Sequence, residues 1–231
     1  VRHEVSTLGA YTFADAARYV RAPVATVRAW FLGTKTGWGQ FHPVLRLDDS
    51  THRMLSFRNL VELHVLNSIR KRHRVTLFRV RTAIEILSGA WKSEHPLAEH
   101  DILTAGYELL TRVSGLLTNV SNDDKQIILD RVLRAALRRI ERHPAGGASK
   151  LFPFPSAEVE SAEPQTIEIN PSIQFGRPCL SGTGIPTEIL YQRHRGGDEM
   201  DVLSHDYEVP IERIREAISF EQALRGCRAA A

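Results

Sequence analysis

A chain of 231 residues, 42% hydrophobic and 25% charged, is sized for one or two folded domains and excludes a fibrous or disordered protein. No apolar run approaches the ~18 residues of a membrane helix, and the opening VRHEVSTLGAY lacks the hydrophobic centre of a signal peptide, so no membrane association is expected. The net charge of +3 is uneven: residues 1–81 hold 14 Lys+Arg against 5 Asp+Glu, whereas residues 82–231 hold 16 against 22.

A basic first third on an acidic remainder suits a nucleic-acid-binding head whose body stays off the phosphates, although chance clustering on solvated faces gives the same count. Cys179 and Cys227 lie far apart and form no metal or redox pair, which points to a reducing, cytoplasmic compartment.

Thr12 to Gly33 reads as two short helices joined by a tight turn. Thr12 is a good N-cap, and Asp15 three residues on favours the positive helix start. Phe13, Ala16, Ala17 and Val20 then fall on one helical face. Pro23 suits the first position of a second helix, because the N–H it lacks would have no partner there. Val24, Val27 and Phe31 mark its buried face, leaving Ala25, Thr26 and Arg28 on or beside the exposed one. Small residues let such a helix approach a groove, and a guanidinium reaches phosphate or guanine. The outline is a helix-turn-helix with its recognition helix over 23–32, or else an ordinary helical hairpin.

Glycines at 33, 37 and 39 with Pro43 exclude a long helix next. Val44, Leu45 and Leu47 are predicted to form a strand, Asp48–Ser50 a turn, and Met54, Leu55 and Phe57 the returning strand. A hairpin there has the layout of a wing, and Lys35, Arg46 and Arg53 are placed to touch backbone phosphate. Ser56 caps a helix whose stripe is Leu60, Leu63, His64, Leu66 and Asn67 and which closes on the basic run Arg70–Arg74. Another helix runs from Val75–Leu77 to Gly89.

Residues 95–120 alternate short apolar runs with Ala105-Gly106 and Ser114-Gly115, predicting strands at about 100–105, 107–112 and 116–119. Asn122–Asp124 then caps a long helix, with Arg131, Arg134, Arg138, Arg139 and Arg142 along its solvated outer face. Residues 143–165 read as a linker in which Leu151–Phe154 forms an edge strand. From Thr166, Ile167, Ile169 and Ile173 alternate as in a strand, and GRPCLSGTGIP is a glycine-rich loop. Three helices follow: one from Pro186 to Gly196-Gly197, one capped by Asp198, and one opened by Pro210.

No catalytic constellation is present. There is no HExxH, no Cys/His cluster at zinc spacing and no GxSxG, and Asp48-Asp49 and Asp123-Asp124 read as turn and cap. No catalytic residue, metal ligand or cofactor is therefore expected.

The order FADAARYVRAPVATVRAW, wing, LSFRNLVELHVLNSIRK resembles the DNA-binding head of MerR-type regulators. Arg28 sits where that family places a phosphate-contacting arginine. Ala22 stands in place of the family's polar cap, and Arg53 and Phe57 in place of its Arg-Arg-Tyr run. INPSIQFGRPCLSGTGIPTEIL, the Gly-Asp turn and DVLSHDYEVPIERIREAISF resemble a small helical module of unknown function found in antitoxins encoded beside PIN-type toxins. Together the two patterns resemble a VapB-type antitoxin.

The resemblance implies a mainly α fold with minor β, divided into a MerR-like winged helix-turn-helix at 1–94, a small α+β middle region at 95–160 and a three-helix, helix-turn-helix-like module at 161–231. It implies a homodimer that neutralises a VapC-like PIN-domain ribonuclease and represses its own operon. Double-stranded DNA would meet Thr12, Ala25, Thr26, Arg28, Lys35, Arg46 and Arg53. The toxin would meet Arg177, Arg225 and Arg228, since arginine pairs with carboxylate by two parallel hydrogen bonds. Against those arginines, residues 151–231 hold 7 Arg and 13 Asp+Glu, so acidic surface facing basic flanks of the toxin is the other possibility. A one-component regulator with a ligand- or protein-sensing C-terminal region is the alternative.

Overall fold

A computed structural model describes residues 5–37, 39–49, 51–73, 76–100, 131–144, 146–154 and 165–226. In chain order these form α1 (Phe13–Val20), α2 (Val24–Leu32), β1 (Thr34–Thr36), β2 (Gly39–Phe41), α3 (Phe57–His73), α4 (Leu77–Trp91) and the short α5 (Pro96–Glu99). Residues 131–137 are helical (α6). Then come β3 (Ile140–Arg142), β4 (Ala148–Leu151), β5 (Ile167–Ile169), β6 (Pro178–Leu180), α7 (Thr187–Arg195), α8 (Met200–Tyr207) and α9 (Ile211–Gly226). The fold is mainly α with minor β, and no described helix is long and apolar enough to cross a membrane.

The core is organised around α3. Its start is fixed by Ser56, whose Oγ accepts the Asn59 N–H at 3.1 Å. From Asn59 to Ile69 every residue is buried, so the helix is enclosed on all sides rather than along the one stripe that its leucines predict. The buried polar groups on it must find partners. Asn59 Nδ2 donates to the Arg46 carbonyl at 2.7 Å, Asn67 Nδ2 to the Val20 carbonyl at 2.6 Å, and Ser68 Oγ to the His64 carbonyl at 2.8 Å.

Glu62 and Arg58 join an ionic cluster. His95 lies between two carboxylates, with Nδ1 at 2.9 Å from Glu62 and Nε2 at 3.1 Å from Asp48. Arg58 pairs with both Asp48 and Glu99, and Ser56 donates to Asp48. Burial favours neutral groups throughout, but at Asp48 the hydrogen bonds from His95, Arg58 and Ser56 win and hold its carboxyl well below the usual range. At Glu62 burial wins and raises the carboxyl. At His95 burial lowers the imidazole, but hydrogen bonds to Asp48 and Glu62 more than offset this and push it up to about 9.

β3 to β6 form one antiparallel sheet in sequence order, in which Leu151 pairs with Ile169 and Ile167 with Leu180. Leu151 therefore lies in an interior strand, and Phe152 to Phe154 have left the sheet, where an edge strand was predicted. The arginine row is exposed as expected at Arg131 and Arg138 but departs from expectation beyond them. The chain leaves the helix before Ile140, and Arg139 is buried, with its guanidinium donating to the Phe152 and Pro153 carbonyls at 2.8 and 3.2 Å. Arg142 donates to the Ala98 and Leu97 carbonyls at 2.6 and 3.0 Å, satisfying the end of α5. α4 continues past Gly89 to Trp91. Apart from His100, the strands predicted over 100–119 and the cap at Asn122–Asp124 lie outside the described residues.

In the C-terminal region α7, α8 and α9 pack together, with Leu190, Leu203, Ile214 and Ile218 buried among them. α8 begins after Glu199 rather than on Asp198, whose carboxylate instead takes Arg193 Nε at 2.6 Å. Thr187 Oγ1 donates to the buried Glu221 at 2.7 Å and ties α7 to α9.

Removing one member of a buried ion cluster leaves the others unpaired, so His95→Ala is expected to cost about 3 kcal/mol at slightly acid pH. The folded-state pKa of His95, about 9, exceeds the unfolded value of about 6.5. Its contribution is therefore complete below the lower value and lost as pH rises through the higher one. Thermal melts should show the gap between wild type and variant narrowing across that window; a gap independent of pH would mean that His95 is not held as a cation.

Candidate functional site

α1 and α2 form a helix-turn-helix-like pair whose ends are fixed locally. Thr12 and Asp15 make a capping box: the Asp15 N–H donates to Thr12 Oγ1 at 3.1 Å and the Thr12 N–H to Asp15 Oδ2 at 3.2 Å. Phe13, Ala16, Ala17, Tyr19 and Val20 are buried, and Arg21 ends the helix in the left-handed region at φ 55°. Pro23 then caps α2, which buries Val27, Trp30 and Phe31. Val24, predicted to be buried, is exposed instead, because the larger Trp30 takes the core face with Val27 and Phe31.

Ala25 and Arg28 are exposed on α2, and Thr26 is half-buried. The Arg28 guanidinium lies 5.7 Å from the Phe13 ring centroid, a cation–π contact that holds it against the start of α1. Thr12 is exposed, but its hydroxyl is engaged in the cap.

The hairpin after α2 lies earlier than the predicted wing. β1 and β2 pair with Lys35 opposite Gln40, and both residues are exposed. Val44 and Leu45 do not form a strand; their N–H groups donate to the Trp30 carbonyl at 2.7 and 3.0 Å and satisfy the end of α2. Met54 and Leu55 make single bridges, to Asp49 and to Tyr11. Asp49 makes the turn, accepting the Thr51 and His52 N–H groups at 3.0 Å each, while Asp48 is drawn into the ionic cluster. Arg81 of α4 steadies the hairpin, donating to the His42 carbonyl at 2.7 Å and lying over the Phe41 ring.

Arg46 and Arg53 come together on the rim of a cleft of about 760 Å³ beside the end of α2, with Phe31, Leu32, Glu94 and His95. Arg46 is ion-paired to Glu94, and Arg53 is exposed on the turn. Asn67 and Arg81, which brace α1 and the hairpin, carry structural work that sequence reasoning did not assign. An amide inside an apolar stripe is the signal for the first.

The arginines expected to meet a toxin are not alike. Arg177 is exposed before β6, and its side chain makes no hydrogen bond or ion pair among the described residues. Arg225 pairs with Glu188 at 3.1 Å and lies 4.6 Å from the Tyr191 ring centroid, so it braces α9 against α7. Arg228 lies outside the described residues. Cys179 is buried, and burial pushes its thiol up to about 11. No group of three or more His, Cys, Asp or Glu placed to hold a metal occurs among the described residues.

A family of proteins of unknown function, DUF433, matches residues 167–220, which run from β5 into α9. A Mycobacterium tuberculosis protein, uncharacterised Rv2308, is 25% identical over 220 residues, covering 94% of this chain and 92% of its own length. Another from that organism, provisionally named antitoxin VapB45, is 26% identical over 223 residues, covering 90% and 92%. The crystal structure of Mycobacterium tuberculosis Rv2018 shares the fold, with a TM-score of 0.67 and 23% identity over 92% of this chain and 98% of that one. The chain is thus distantly related, along nearly its whole length, to a protein named as an antitoxin.

Gly33 joins α2 to the hairpin at φ 70°, and a Cβ built there would lie 2.4 Å from the Phe41 carbonyl oxygen. Gly33→Ala is therefore expected to destabilise by about 2 kcal/mol and to displace the hairpin. Urea unfolding and exchange of the β1–β2 amides check this; an unchanged midpoint would show that the junction yields freely.

Proposed function

We propose that the chain is an antitoxin that binds and neutralises a PIN-domain ribonuclease and also binds its own operator DNA as an autorepressor. The observation that carries this reading is the relation to the antitoxin-named protein over 90% of the chain. On this reading α2 is the recognition helix. Its exposed Ala25 lets the backbone approach the groove, and Arg28, held on Phe13, takes a phosphate. Lys35 on the hairpin and Arg53 on the turn are exposed and would add phosphate contacts, whereas Arg46 would have to leave Glu94 to join them. A homodimer fits this function, because one head reads few base pairs and two half-sites supply the rest.

The DNA arm is tested with the full-length chain and a duplex from its own promoter, since cutting the chain in the 155–164 segment would part β4 from β5. Affinity should fall steeply with salt, because bound Lys and Arg displace condensed counterions. Arg28→Ala should weaken binding to all sequences alike and make the slope of log K against log salt shallower by about 1. No binding at low salt would overturn the DNA arm.

The toxin arm is tested by co-expression with the product of the adjacent gene. A stable complex and restored growth are expected. A chain that binds its promoter but neither binds nor neutralises that product would be a one-component regulator instead.

A further inference from the structure

Between β5 and β6 the chain makes one left-handed turn, with φ of 49° at Gln174, 54° at Phe175 and 73° at Gly176. L-residues reach this region at a cost that glycine avoids. At Gly176 the sequence meets that demand, and the fit is close: a Cβ there would lie 2.0 Å from the hydroxyl of the buried Tyr11. The turn is therefore seated against the N-terminal head. Gln174 and Phe175 bear the same backbone conformation without being glycine, and both are exposed.

Phe175 is 88% exposed, the most among the large hydrophobic side chains described. A left-handed backbone holding an aromatic ring in water serves neither the stability nor the solubility of the isolated chain. Backbone strain kept at an exposed position marks a site where a side chain must point outward.

The surroundings define what the ring would meet. From residue 169 to 186 the only charged residue is Arg177, which is exposed and unpaired among the described residues. At the foot of the turn a groove of about 480 Å³ runs along Asn170–Ile173, with His143 and Lys150 on its other wall. An aromatic knob beside an unpaired guanidinium, on an otherwise neutral turn, complements an apolar pocket rimmed by carboxylates.

We infer that Phe175 is the apolar anchor of the partner-binding surface, inserting into such a pocket on the toxin while Arg177 pairs with a carboxylate at its rim. This rests on the antitoxin reading above. Glycine separates the two roles of the position, because Phe175→Gly relieves the backbone and removes the ring together. The full-length variant should melt at or slightly above the wild-type temperature. Its Kd for the purified product of the adjacent gene, by calorimetry, should nevertheless rise about tenfold or more. Phe175→Tyr should keep affinity within a few-fold, and Arg177→Ala should weaken binding less than the loss of the ring. Wild-type binding with equal affinity in Phe175→Gly would overturn the anchor and leave the antitoxin reading standing. Failure of the wild-type chain to bind would overturn both.

Discussion

Enclosing α3 on every side forces its polar residues to find partners, and those partners are the other elements of the head. Asn67 reaches the end of α1, Asn59 the backbone at Arg46, Glu62 reaches His95 just before α5, and Arg58 reaches Asp48 and Glu99. An amide or carboxylate buried without a partner costs several times what the pairing contributes. Each contact therefore acts less as glue than as a condition on position: the layer around α3 fits in one arrangement or leaves a charge stranded. The segment after the hairpin shows the effect. Asp48 lies beside a conventional Asx turn made by Asp49, yet its own carboxylate turns inward to an arginine, a histidine and a serine.

Local chemistry made some of this legible in the sequence and hid the rest. The Thr12–Asp15 box and the Ser56 cap involve residues three apart, so residue type and spacing alone identify them. The α1 and α2 faces follow helical spacing, apart from the displacement of Val24 by Trp30. The hairpin lies where the sequence carries little strand signal. Strand signals come from buried alternating residues, but β1 and β2 are largely exposed, while the apolar Val44 and Leu45 serve to close the end of α2. Arg139 and Arg142 follow the same logic. A run of arginines reads as solvated surface, and the tertiary contacts that take these two guanidinium groups out of it come from carbonyls ten or more positions away.

At the candidate site, exposure is legible in the sequence but the engagement of the side chains is not. Ala25 and Arg28 face outward as the helical wheel requires, and Arg46 and Arg53 meet at one cleft although a misplaced strand had suggested them. The C-terminal arginines follow from the antitoxin resemblance and from the way a guanidinium pairs with carboxylate. Charge does not reveal that Arg225 is taken up by Glu188 and Tyr191 while Arg177 is left open. Nor does composition register the left-handed turn at Gln174–Gly176, because a glycine after a phenylalanine is unremarkable until Tyr11 is seen to fill the space where a Cβ would stand.

Tyr11 shows how closely the two ends of the chain are joined. Its backbone pairs with Leu55, its ring meets Tyr19 edge-on at 6.1 Å, and its hydroxyl abuts Gly176. A few residues further on, Arg21 lies 5.8 Å from the ring centroid of Phe220, and Arg18 feels the field of Glu221, so α9 packs against α1. α1 is thus covered by α3 and by α9, whereas α2 and the hairpin keep their outer faces. The same contacts that seat the C-terminal module on the head leave α2 uncovered and hold the Phe175 turn outward. The two candidate surfaces are therefore placed by one shared set of contacts rather than by a flexible tether.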